Sequence, residues 1–108
     1  MRVISGTYRG RKLECPPGDS IRPTTDRVKE NLFNILAPVV PYSSFLDVFS
    51  GSGGIGIEAI SRGASQVVMI DAEPSSIRAL RKNLAGLKIT EGFEVFESDA
   101  FYVMERFS

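Results

Sequence analysis

Hydrophobic patterning changes character along this chain near residue 45. Ahead of that point, Val3-Ile4-Ser5-Gly6-Thr7-Tyr8 and Arg11-Lys12-Leu13 read as two short strands around an Arg9-Gly10 turn, a β-hairpin. Cys15 to Ser20 is rich in Pro and Gly and reads as a loop. Thr24 or Thr25 can cap a helix that runs to about Leu36, with Val28, Leu32, Ile35 and Leu36 spaced as one helical face and Pro38 and Pro41 ending it.

Beyond residue 45, short apolar runs alternate with helical patterns. Residues 45–49, 66–70 and 93–96 are predicted strands, the second β-branched and almost wholly apolar, as in a strand buried on both faces. Residues 55–62 form a predicted helix with Gly63 as its stop. Pro74 opens a second helix whose stripe is Ile77, Leu80, Leu84 and Leu87. Ala100 to Phe107 reads as a third. The order βαβαβα predicts a parallel α/β sheet.

Charge is balanced overall, with 13 basic and 13 acidic residues, but it is uneven. Residues 1–37 carry seven basic and four acidic groups, a net of +3, and the rest carries six and nine, a net of −3. A basic arm on an acidic body suits a polyanion held by the arm, and an ordinary solvated hairpin would carry the same charges. The composition contains no histidine and a single cysteine, Cys15. That excludes a Ser-His-Asp triad, a His-based metal site and an internal disulfide; no metal is expected. No apolar run approaches bilayer length, and a cytosolic setting is the expectation.

Chemistry concentrates in Asp47-Val48-Phe49-Ser50-Gly51-Ser52-Gly53-Gly54-Ile55-Gly56. G-x-G-x-x-G at Gly51, Gly53 and Gly56 follows a strand and opens a helix, which permits a tight turn and lets a ligand lie on bare backbone. A tight turn alone also explains it without a ligand, and the βαβ context favours the ligand. Asp71 ends the second strand, where a carboxylate can accept from ribose hydroxyls. Asp99 follows the third, where it can accept from an adenine amino group or simply cap the next helix. Three strand ends thus place a glycine turn and two acids on one sheet edge, which suits an adenosine-containing ligand. Asp47 suits the ammonium of S-adenosylmethionine and would repel the pyrophosphate of NAD.

The stretch Arg22-Pro23-Thr24-Thr25-Asp26-Arg27-Val28-Lys29-Glu30-Asn31-Leu32-Phe33-Asn34-Ile35-Leu36, followed by Asp47-Val48-Phe49-Ser50-Gly51-Ser52-Gly53, strongly resembles the RsmD-type family. These are bacterial 16S ribosomal RNA methyltransferases that act on the exocyclic amino group of guanine. Ile4 to Leu13 resembles that family's N-terminal hairpin. The resemblance implies a Rossmann-like class I methyltransferase fold, here a partial parallel sheet, with an N-terminal β-hairpin. Residues 1–21 would form the basic hairpin and loop, and residues 22–108 the S-adenosylmethionine-binding domain. It further implies that Asp47, Ser50, Gly51 and Gly53 hold the methionine end of the cofactor. Asp71 would hold the ribose, in place of the family's usual Glu, and Asp99 with Ala100 would contact adenine. Arg9, Arg11, Lys12 and Arg22 would face RNA phosphate, in 16S ribosomal RNA or an assembling small subunit.

The family's catalytic Asp/Asn-Pro-Pro-Tyr/Phe motif does not occur in these 108 residues. Catalytic residues are therefore expected beyond Ser108, the 108 residues alone are expected to be inactive, and an isolated fragment is expected to self-associate through an open sheet edge. Two other readings stand beside this one: a non-catalytic cofactor-binding module and an NAD-binding oxidoreductase fragment.

Overall fold

A computed structural model describes residues 1–15, 26–48 and 50–99. Elements follow in the order α1 (Asp26–Leu36), β1 (Ser44–Val48), α2 (Gly54–Ser61), β2 (Gln66–Asp71), α3 (Pro74–Gly86) and β3 (Phe93–Glu97). The strands form one parallel sheet in the order β1-β2-β3, with Asp47 opposite Met69 and Asp71 opposite Glu97. Parallel pairing through helical crossovers brings all three carboxyl ends to one edge. The predicted helix from Ala100, the Thr24/Thr25 cap, Arg22 and Ala100 lie outside the described residues.

Alternation along β2 explains the layering. Val67 and Met69 point to the face packed with Ile57 of α2 and Leu80 and Leu84 of α3, whereas Ile70 packs with Val48, Val68 and Phe96 on the other. α2 stops where its sequence dictates: Gly63 takes φ 101°, and the amides of Gly63 and Ala64 reach back to the carbonyls of Ile60 and Ala59. The same double bond ends α3, with Lys88 in the left-handed position at φ 60° and Ile89 bonded to Leu84. All four stripe residues expected on α3 are buried.

Two elements differ from expectation. Most of the apolar face read on α1 points outward: Val28 is 57% and Ile35 78% exposed, Leu36 alone of the four packs against the core, and Lys29 and Phe33 are fully buried. Phe33 stacks on Phe45 at 6.1 Å and takes the Arg62 guanidinium over its ring at 4.9 Å. Lys29 pairs with buried Glu58 at 3.3 Å. These partners choose the inward face over the simple count of apolar positions.

The N-terminal hairpin also shrinks to a single antiparallel bridge, Arg2 to Lys12. Gly6 and Gly10 take φ 90° and 84°, which bends the chain out of a strand. The amides that would have continued the ladder bond to α2 instead. Ile4 and Ser5 donate to the Glu58 carboxylate at 2.9 and 3.1 Å, Thr7 to the Ser61 carbonyl at 2.8 Å, and Tyr8 to the Ser61 hydroxyl at 2.9 Å. Val3 and Leu13 complete the core shared by α2 and α3.

Candidate functional site

The loop from Ser50 to Gly53 crosses the carboxyl ends of β1 and β2. Its geometry follows from its residues. The Ser50 amide donates to the Ile70 carbonyl at 2.8 Å, and the Gly51 amide to the Asp71 carboxylate at 2.8 Å. Gly51 and Gly53 take φ 56° and 95°, conformations that cost a non-glycine residue about 1–2 kcal/mol. Gly53 then caps α2.

The three motif glycines serve different purposes. A Cβ on Gly53 would lie 2.3 Å from Leu80 Cδ1, and one on Gly56 would lie 2.5 Å from Met69 Sδ and 3.3 Å from the Asp47 carboxylate. Those two glycines let α2 sit tightly on the sheet and on α3. Gly51 meets nothing within 4 Å. It alone presents bare backbone to open space, as a bound ligand would require.

Two polar groups at this edge carry an unmet electrostatic or hydrogen-bonding demand. The Ser50 hydroxyl is buried and has no hydrogen-bond partner among the described residues. Such a group is costly unless something completes it. Asp47 is buried, and its Oδ2 accepts from the Gly56 amide at 3.1 Å. Burial outweighs that bond and, with Asp71 nearby, pushes its carboxyl up to about 6. A cation beside Asp47 would remove the penalty.

Asp71 is engaged on both oxygens, Oδ2 with Gly51 and Oδ1 with the Glu73 amide at 2.8 Å. A carboxylate oxygen accepts two bonds, so ribose hydroxyls still find lone pairs there. Asp99 lies exposed, two residues after β3, on the same edge. Asp47, Ser50, Gly51 and Asp71 are thus brought together, Asp99 is placed along the same edge, and Gly53 faces the core. Arg9, Arg11 and Lys12 are all exposed on the N-terminal arm. Arg11 commits one guanidinium nitrogen to the Gly86 carbonyl at the end of α3, 3.1 Å away. A groove of about 380 Å³ lined by Gly6, Pro41, Arg62 and Gly63 lies at the far end of α2 and is separate from this edge. Among the described residues no cluster of His, Cys, Asp or Glu could hold a metal, and no helix is long and apolar enough to cross a membrane.

Sequence reading passed over the buried polar residues Lys29, Glu58, Ser61 and Asn83, none of which has a motif of its own.

Comparison with known proteins agrees with the architecture. The model of the family described as "Conserved hypothetical protein 95" matches residues 1–108. Ribosomal RNA small subunit methyltransferase D of Escherichia coli K12 is 50% identical over 88 residues, covering 82% of this chain and 44% of that protein. The chain spans about half the length of the curated relatives it matches. The solved structure of a hypothetical protein from Thermus thermophilus superposes with a TM-score of 0.85 at 31% identity, over 98% of this chain and 60% of that one. An RNA methyltransferase from Salinibacter ruber, solved in complex with S-adenosyl-L-homocysteine, superposes with a TM-score of 0.65 at 28% identity, over 74% of this chain and 52% of that one. The fold is that of the Rossmann-like class I methyltransferases. With residues 1–108 inside the family model and half the residues of an 88-residue stretch shared with a named member, this chain belongs to the RsmD-type family.

Proposed function

We propose that this chain is the cofactor-binding half of an S-adenosylmethionine-dependent methyltransferase whose substrate is the exocyclic amino group of a guanine in 16S ribosomal RNA. The observation that carries the reading is the pairing of an unsatisfied Ser50 hydroxyl with the open Gly51 backbone, beside a buried carboxylate with a raised pKa. The residues fit the cofactor's amino-acid end. Asp47 would face its ammonium, and Ser50 and Gly51 its carboxylate. Asp71 would accept from the ribose, and Asp99, with Ala100, from adenine. Arg9, Arg11, Lys12 and Arg22 would hold RNA phosphates.

The cofactor supplies an already activated methyl group on a sulfonium. The protein's own contribution is positional: it must hold that methyl in line with a nitrogen of an extracted base. The relatives named as ribosomal RNA methyltransferases and the neighbour solved with S-adenosyl-L-homocysteine support this reading.

Calorimetry with S-adenosylhomocysteine and with NAD tests it. Binding of the first and not the second is expected; the reverse would identify an oxidoreductase fragment. Methyl transfer to unmethylated small-subunit RNA, by the protein carrying the Asp/Asn-Pro-Pro-Tyr/Phe motif, separates an enzyme from a non-catalytic module. In this reading β1, at the sheet edge with Leu46 52% exposed, is the surface through which residues 1–108 self-associate. Light scattering should show less association for Leu46→Lys.

A further inference from the structure

Asn83 projects from the buried face of α3 and ties together two segments that are far apart in the sequence. Its side-chain oxygen accepts the Glu14 amide at 2.8 Å. Its side-chain nitrogen donates to the Glu14 carbonyl at 2.9 Å and to the Ser52 carbonyl at 2.9 Å. One amide group therefore holds the last described stretch of the N-terminal arm and the middle of the glycine loop. Neither segment can shift without breaking one of these bonds, of which the one to Ser52 is buried.

A second contact runs between the same two segments. The Met1 side chain lies over Gly54, where a Cβ would come within 2.4 Å of its sulfur. Between these points the arm follows α2, held at Glu58 and Ser61. The arm carrying Arg9, Arg11 and Lys12 is thus fastened to the first turn of α2 and to the loop it springs from.

We infer that Asn83 is a positioning residue that couples the N-terminal arm to the glycine loop, so that a ligand at the loop orders the arm and a polyanion on the arm favours the ligand. The inference rests on the cofactor reading given above and adds to it a route between two sites. Ligand contacts at Ser50 and Gly51 fix Ser52, the Ser52 carbonyl fixes Asn83, and Asn83 fixes Glu14. Linkage makes the effect reciprocal by the same factor.

The test uses backbone amide hydrogen exchange on the full chain, with and without saturating S-adenosylhomocysteine. The arm amides of Val3, Gly10 and Leu13 are compared with that of Val67 in the central strand β2, bonded to the Gly92 carbonyl, which reports global stabilisation. The ligand is expected to slow the arm amides by roughly tenfold beyond its effect on Val67. Asn83→Leu should bind the ligand more weakly and lose the extra slowing. Glu14→Pro deletes the amide donor of one of the two Asn83–Glu14 bonds and leaves the Glu14 carbonyl bond and the bond from Asn83 to Ser52 in place; it should lose part of the extra slowing. Ligand binding by the parent chain with no extra slowing at the arm overturns the coupling, as does full extra slowing in Glu14→Pro. Failure of the parent to bind S-adenosylhomocysteine overturns the cofactor reading, and the coupling with it.

Discussion

The carboxylate of Asp71 accepts the backbone N–H of Gly51 at 2.8 Å, across 20 residues of sequence. The acid that ends β2 therefore shapes the loop that ends β1, in addition to whatever it offers a ligand. Asp71→Asn keeps one acceptor and loses the charge. Charge-assisted bonds contribute about 1.5–3 kcal/mol, so affinity for S-adenosylhomocysteine should fall by roughly tenfold or more. Calorimetry gives the affinity. The Gly51 amide resonance shows whether the loop moved: a loop effect shifts it in the ligand-free protein, and a ribose effect alone does not.

Asp47 makes stability and binding depend on pH in opposite directions. Its carboxyl is raised from 3.8 to about 6 by burial, so the folded state holds a proton that the unfolded chain releases. The group's stabilising contribution is complete below pH 3.8 and is lost as pH rises through about 6, which amounts to up to about 3 kcal/mol. Asp47→Asn should therefore raise the ligand-free melting temperature at pH 8 and change it little at pH 4. Binding of an ammonium needs the ionised form. Affinity for S-adenosylhomocysteine should rise between pH 5 and about pH 7 and then level off, with proton release measurable at pH 5.5 in buffers of different ionisation enthalpy.

The glycines of the loop should separate under substitution. Gly53→Ala meets Leu80 and Ile57 and also strains the backbone, so it should destabilise the fold by about 2–4 kcal/mol. Gly56→Ala meets the Met69 side chain and should cost about 1–3 kcal/mol. Gly51→Ala meets nothing, should cost about 1–2 kcal/mol of backbone strain, and should reduce ligand affinity more than its stability loss would suggest. Urea melts and calorimetry on the three variants provide the comparison.

Glu58 is fully buried and pairs with both Lys29 and Arg62, the latter through a 2.8 Å bond to Nε, while accepting two amides from the arm. Glu58→Gln leaves two buried or half-buried cations facing an amide and should destabilise by about 3–5 kcal/mol. Lys29→Met leaves a carboxylate still held by Arg62 and two N–H groups, gives up the 2.6 Å bond from Lys29 Nζ to the Arg2 carbonyl, and should cost less, about 1–3 kcal/mol. Chemical denaturation ranks them; the opposite order would mean that the Lys29 bond to Arg2 holds the arm more strongly than the Glu58 carboxylate does.

Strands and helices were legible because burial on both faces and the Gly63 and Pro74 signals act locally. The site edge was legible for the same reason: Asp47, Gly51 and Asp71 sit at element ends whose positions periodicity fixes. The inward face of α1 was not, because its choice depends on Glu58 and Arg62, which only the fold brings to Lys29 and Phe33. The hairpin was overread for a similar reason. Tyr8, Thr7 and Ser5 have strand-like sequence but find better acceptors on α2 than on a partner strand. The three glycines looked alike in sequence, and only the positions of Leu80 and Met69 tell them apart.

The arm's bonds to α2 and α3 set a schedule for the nascent polypeptide. Ile4 waits for a partner 54 positions later and Glu14 for one 69 positions later, so the arm is made before the elements it settles on. Until Asn83 has left the ribosome, Val3 and Leu13 stay without the apolar surroundings they finally occupy. A stall in translation before that point would present them to chaperones or to other chains.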